Sequence, residues 1–258
     1  MLKELTICGI HFPTFNIMIC VGMTSALLIM LGECLKQKLN CESQTKVITA
    51  FPFCVLLGTL FAHLLDVFFH EGFFALFSDS IFRYGITFFG SLIATIIYLF
   101  VHAKIVHLNY VYLLNMYLPL FAIGQAFGRI GCFLGGCCFG KPCEYIGVIY
   151  PENSFPYAVY RDMMLFPVQL SESLYLFIIF FVIKFVKFKY RACTYLTLMS
   201  LGRFIFEFLR GDDRGSIYGD IMTPSQLLSI FLFLFGIFLY KNARKTILCE
   251  PSDILKSC

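Results

Sequence analysis

Gly128-Arg129-Ile130-Gly131-Cys132-Phe133-Leu134-Gly135-Gly136-Cys137-Cys138-Phe139-Gly140-Lys141 closes a long apolar run. Glycines let backbone amides approach a ligand closely, and arginine presents a fork of donors suited to phosphate. An arginine beside hydrocarbon is costly unless something compensates it, so Arg129 points to a function. The plain alternative is an arginine that snorkels to the interface from a glycine-rich helix end.

Working outward, 59% of the residues are hydrophobic and only 14% charged, against about 25% charged in soluble domains. Successive apolar runs approach the ~20 residues that cross a hydrocarbon core as helix. The expected fold is therefore an all-α polytopic membrane protein, one transmembrane domain over residues 1–258. About seven helices are expected, near Phe15–Leu35, Val47–Phe69, Tyr84–Val106, Tyr110–Phe127, Leu170–Val186, Tyr195–Leu209 and Leu227–Tyr240. A short interfacial arm is expected over 70–83. A small external head carrying the central motif is expected over 128–169.

Charge orients this arrangement. Lys36, Lys38, Lys46, Lys104, Lys184, Lys187, Lys189, Arg191, Lys241, Arg244, Lys245 and Lys256 all fall on one side of seven spans, twelve of the 20 basic residues. That side is expected to be cytoplasmic, with the amino terminus outside and the carboxyl terminus inside. Residues 1–15 lack a cleavage-like ending and do not read as a removable signal. The lipid bilayer is the expected environment, and no nucleic-acid partner is expected.

The sixth span ends Gly202-Arg203-Phe204-Ile205-Phe206-Glu207-Phe208-Leu209-Arg210. Spacings of four and three put Arg203, Glu207 and Arg210 on one helical face. Intramembrane charges face the bundle interior and pair, so this stripe is a functional hypothesis, its alternative an interfacial salt-bridge cluster. The fourth and sixth spans both run outward. Arg129 and Arg203 thus share a membrane depth at which they clamp one phosphate, and a phospholipid headgroup supplies it. Glu207 either orients a guanidinium or acts as a base.

Other motifs carry less. Gly135-x4-Gly140-Lys141 has the outline of a P-loop, but Pro142 stands where a hydroxyl would hold magnesium and no strand precedes it. Cys132, Cys137, Cys138 and Cys143 lack the usual ligand spacing of zinc sites, so no metal and no cofactor is expected. A disulfide within this cluster stays open.

Gly128 through Cys132, Phe133, Leu134 and Gly136, followed by Gly140, resembles the signature of the prolipoprotein diacylglyceryl transferases. So do Phe12-Pro13, Gly85 to Gly90, Phe166 to Glu172, Gly202-Arg203 through Arg210, and Met222 to Ser229, in the family's order. The resemblance implies a seven-span enzyme of the bacterial cell membrane. It implies transfer of diacylglyceryl from phosphatidylglycerol to the lipobox cysteine thiol of a preprolipoprotein, with release of glycerol phosphate. Arg129 and Arg203 are the implied phosphate and transition-state partners. Glu207 and Arg210 are the implied motif neighbours of the site, and Gly128, Gly131, Cys132, Gly136, Gly140, Gln169, Glu172 and Arg210 are the expected substrate-binding set. The chain departs from the family's usual residues at Cys132 (Asn), Cys137 (Glu), Phe89 (His), Phe166 (His) and Ser171 (Tyr). Glu207 or a thiolate at Cys137 is then the expected base, since nearby positive charge favours a thiolate. Two other functions compete: a family paralogue that binds phospholipid or serves another acceptor, and a small-solute transporter, for which mid-span polarity is sparse.

Overall fold

The computed structural model describes residues 4–7, 10–71, 87–212 and 222–245. The expected interfacial arm lies outside them from residue 72 onward, as do Gly85 and Ile86 of the family motif. A short antiparallel hairpin opens the chain, β1 (Glu4–Ile7) pairing with β2 (Ile10–Pro13), a feature the apolar pattern did not suggest. Helices follow: α1 (Thr14–Lys36), α2 (Cys41–Ile48), α3 (Ala50–Glu71), α4 (Phe88–Val106), α5 (Tyr110–Gly135), α6 (Phe155–Tyr160), α7 (Val168–Phe185), α8 (Arg191–Glu207) and α9 (Pro224–Lys245). The chain is an all-α, multi-pass membrane protein.

Six helices among the described residues are long and apolar enough to cross a membrane. The remaining expected span, the sixth, is α8, which has only 17 residues and carries Arg203 and Glu207. Large side chains such as Leu28, Leu35, Ile105 and Phe185 are exposed along these helices. In water such a surface drives association; against lipid tails it is the ordinary contact.

Local signals set the helix ends. Asn40 accepts from the Ser43 amide at 2.8 Å to start α2, and Asn109 accepts from the Val111 and Tyr112 amides to start α5. Each satisfies amides that the first helical turn leaves without partners. Pro224 opens α9, where its missing amide costs nothing.

α5 is the central helix. Half of its apolar window is buried against 17% for α1, and it packs on α1, α4, α7 and α8. Gly131 lets it approach Phe15 and Met18 of α1 closely. Asn115, buried near the start of α5, donates to Val111 O and accepts from the Ala192 amide at 2.8 Å, tying α5 to the first turn of α8.

Polar contacts sort the helix ends into two groups. At one end Arg191 pairs with Glu33 at 2.7 Å, Tyr112 donates to Gln37, and His102 meets Lys46 O at 2.8 Å. This end gathers Lys36, Lys46, Lys104 and Arg191, and a Tyr190 to Tyr240 ring contact brings the end of α9 beside it. The starts of α1, α4 and α7 and the ends of α5 and α8 form the opposite end.

The approach of α7 to α8 is a direct test of this packing. A side chain at Gly202 would enter the Tyr175 ring, which is anchored by a hydrogen bond to Leu198 O at 2.8 Å. Gly202→Leu is expected to lower stability by about 1–3 kcal/mol, the range for overpacking. A thermal melt of the detergent-purified protein checks it: the midpoint should fall by several degrees.

Candidate active site

The α5 helix runs past the expected boundary at Phe127 to Gly135, so Gly128, Arg129, Gly131 and Cys132 are helical rather than part of a loop. It ends where Gly136 takes a left-handed conformation with φ 71°, which a glycine accepts at no steric cost. The head residues therefore begin at 136. They are packed: Phe139, Tyr150 and Leu165 form a small core, and bridges join Pro142 to Leu165 and Val148 to Leu165.

Gly140 bridges Arg210. A side chain there would strike Phe166 O and Leu209 O, so this glycine allows three segments to meet beneath the site. α8 stops at Glu207, and its last turn tightens through Leu209 N–H donating to Phe206 O and Arg210 N–H to Glu207 O. Arg210 thus lies beyond the helix rather than on its face, yet its side chain reaches the same centre as Arg203.

That centre is Glu172, near the start of α7 and 2% exposed. One of its oxygens pairs with Arg129 Nε and the other with Arg203 Nη1 at 2.7 Å, with Arg210 Nη1 3.9 Å from the second. Arg203 Nη2 is also 3.6 Å from Glu207, whose other oxygen accepts from the Thr223 hydroxyl at 3.1 Å. Arg210 is held in turn by both oxygens of Asp212, at 2.7 and 2.9 Å. A buried carboxylate with three guanidinium neighbours is compensated, and so is each arginine.

A cavity of about 390 Å³ abuts this cluster. Its walls are largely apolar, with Phe15, Ile19, Phe51, Phe88 and Phe121 among them, and Arg129, Arg203, Cys132 and Cys138 at its polar end. Arg129 meets Glu172 through Nε, and the buried Nε of Arg203 has no hydrogen-bond partner among the described residues, so donor capacity remains beside the cavity. The Phe89 ring lies 5.8 Å from the Arg203 guanidinium, a cation–π distance that helps fix its plane.

The remaining expected residues separate by position. Gly128 and Cys132 line the cavity, whereas Gly131, Gly136 and Gly140 serve backbone packing. Gln169 is fully buried and donates to Cys137 O at 2.8 Å and to the Tyr150 hydroxyl at 3.0 Å, so it fixes the head rather than lining the cavity. Cys137 is exposed and does not line the cavity; the hydrogen-bonding thiols of Cys132 and Cys138 push its own thiol up, against a standing thiolate there. Spacing argued against a metal set, yet the sulfurs of Cys132, Cys137 and Cys138 lie within 4.8 Å of one another. Cys143 is not one of the three; amides of Ile146 and Tyr145 hold its thiol below the usual range.

A family model described as prolipoprotein diacylglyceryl transferase matches residues 4–241. The chain belongs to this family. It is 33% identical over 166 residues to a phosphatidylglycerol–prolipoprotein diacylglyceryl transferase of Clostridium tetani, covering 62% of this chain and 65% of that one. It is 37% identical over 138 residues to a second such transferase, of Clostridium perfringens, covering 51% of this chain and 52% of the relative. A Dehalococcoides mccartyi relative of the same name is 30% identical over 217 residues, covering 79% and 80%. The matched stretches thus span less than two thirds of the two clostridial relatives. For a member of the transferase family, the ionic cluster beside an apolar cavity is the feature to explain.

Asp212, Thr223 and Cys138 were not singled out from the sequence as site residues. Asp212 sits two residues beyond Arg210, close enough to have been paired with it; Thr223 needed the fold to bring α9 against α8. The cluster makes its own prediction. Glu172→Ala strands three buried arginines and is expected to cost about 3–5 kcal/mol, as for a broken buried pair. Glu172→Gln keeps the volume and should cost less; equal melting midpoints for Glu172→Ala and wild type would refute the central role of this carboxylate.

Proposed function

We propose that this chain transfers the diacylglyceryl group of phosphatidylglycerol to the thiol of a lipobox cysteine in a preprolipoprotein, releasing glycerol phosphate. The observation that carries the reading is the apolar cavity that ends on two arginines. Acyl chains and glycerol esters suit its aromatic and aliphatic walls, and the phosphodiester suits the guanidinium donors that Glu172 leaves unused.

Glu172 holds one arginine on each oxygen. The two guanidinium groups therefore arrive prepositioned and need no reorganisation when the lipid binds. In the reaction the acceptor sulfur attacks the glycerol carbon, the carbon–oxygen bond breaks, and the electron pair leaves on phosphate. The phosphate goes from a diester with one charge toward a monoester with about two. Arg129 and Arg203 meet more negative charge in the transition state than in the bound lipid, which is the condition for lowering the barrier.

Glu207 braces Arg203, and its oxygen facing that arginine makes no hydrogen bond among the described residues, which keeps it a candidate base. Arg210, tied to Asp212, supports the cluster from the head side. Gly128 and Cys132 border the lipid; Gln169 and the glycines Gly131, Gly136 and Gly140 shape the frame.

The bacterial cell membrane is the proposed location, with the amino terminus outside and the carboxyl terminus cytoplasmic. Its support is the lysine-rich end of the bundle, opposite the arginine cluster. The cluster and the head at 136–167 then face outward, toward exported acceptors. A member of the family with a different acceptor is the second reading, favoured only by the cysteines at 132 and 137.

Expression in cells depleted of their own transferase tests the function. Wild type should restore lipidation of a reporter lipoprotein; good membrane expression without lipidation would refute the reading. Arg129→Ala and Arg203→Ala are each expected to cut turnover by about 10²–10³, the loss typical of one removed transition-state donor. Wild-type turnover in either variant would remove that arginine from the phosphate site.

A further inference from the structure

The three sulfurs that converge at the end of α5 sit on a braced frame. Cys132 is in the last turn of the helix, and Cys137 N–H donates back to its carbonyl at 3.0 Å. Gln169 holds Cys137 from the other side. Cys138 adopts φ 59°, a left-handed backbone uncommon for a residue with a side chain, and the chain reverses there beside the helix end. None of the three is in a disulfide.

We propose that Cys132, Cys137 and Cys138 bind one zinc ion whose fourth coordination position opens to the cavity and takes the acceptor's cysteine thiol. Tetrahedral zinc with bonds of about 2.3 Å separates its sulfurs by about 3.8 Å, so sulfurs already within 4.8 Å need only a small contraction. Three protein ligands and one open position are the arrangement of reacting zinc, whereas structural zinc is closed by four. Thiolates select zinc over hard cations such as magnesium or calcium. Cys132 and Cys138 line the same cavity as Arg129 and Arg203, so the open position faces the proposed phosphoester. Glu207, the other candidate base, is not among the residues that line it.

This assignment rests on the transferase reading and supplies its nucleophile. The acceptor thiol binds zinc and loses its proton, because a coordinated thiol is deprotonated outright. Its sulfur forms the bond to the glycerol carbon as the carbon–oxygen bond breaks. The electron pair leaves on the phosphate monoester, which takes up the thiol proton. The neutral thioether then leaves the metal, and the site is ready for another thiol. With the acceptor bound, four thiolates surround the divalent ion, and Arg129 and Arg210 beside the cysteines offset part of that charge.

The test is metal content and spectroscopy of the full chain in mild detergent. After equilibration with zinc and gel filtration, wild type and Cys143→Ser should each hold about one zinc per chain, and Cys132→Ser and Cys138→Ser should lose it. Cobalt(II) in place of zinc should give thiolate charge-transfer bands in wild type, a reading that depends on no variant. A peptide with one cysteine should shift these bands, and its serine counterpart should not. Wild type without stoichiometric zinc, or zinc retained in both serine variants, would overturn the site. Bound metal that ignores the cysteine peptide would overturn thiol activation. These readings need no lipid transfer, so they fail or succeed separately from the lipidation rescue that tests the transferase reading itself.

Discussion

Glu172 is a carboxylate buried between arginines from three parts of the chain, and the arginine-bearing end of the bundle depends on it. A carboxylate alone at this depth would be prohibitively costly, as would any of the arginines. Together they are mutually compensated, and the ion pairs tie α5, α7 and the α8 terminus to one point. Such a cluster contributes little net stability compared with apolar packing. What it provides is position: two guanidinium groups fixed at the end of an apolar cavity with hydrogen-bonding capacity to spare.

The rest of the bundle serves that placement. At the lysine-rich end Asn115 ties α5 to the start of α8, and Arg191 and Glu33 join α8 to α1. The head at 136–167 is rigid for a different reason. Its backbone is held by a glycine helix cap, by the close passage of Gly140 against the 166 and 209 carbonyls, and by Gln169. Rigid support on both sides lets the arginines and thiols share one cavity without reorganising.

Much of this was legible in residue order. Apolar run length located the helices, and the four-residue spacing of Arg203 and Glu207 announced a buried ionic face. The Gly-Arg frame of Arg129 identified its counterpart. Other features depended on tertiary contact. Glu172 looked like one substrate-binding residue among several, because nothing local shows that three arginines converge on it. The helical course of α5 past Phe127 was hidden by its glycines, which read as a loop until packing against α1 gave them a use. Thiol spacing gave no sign of the cluster: a helix end, a left-handed cap at Gly136 and a second left-handed residue at Cys138 bring the sulfurs of Cys132, Cys137 and Cys138 together. Polarity likewise said nothing of the short hairpin before α1.

The arginine pair at the end of the cavity is proposed to recognise the phosphate of an anionic phospholipid. Native mass spectrometry of the protein with phosphatidylglycerol tests it most directly, using wild type and the Arg129→Gln, Arg203→Gln double variant in the same detergent. Wild type should retain one phosphatidylglycerol in preference to the corresponding diacylglycerol, and the double variant should lose this preference while keeping its fold. Equal retention of phosphatidylglycerol by both proteins would contradict it.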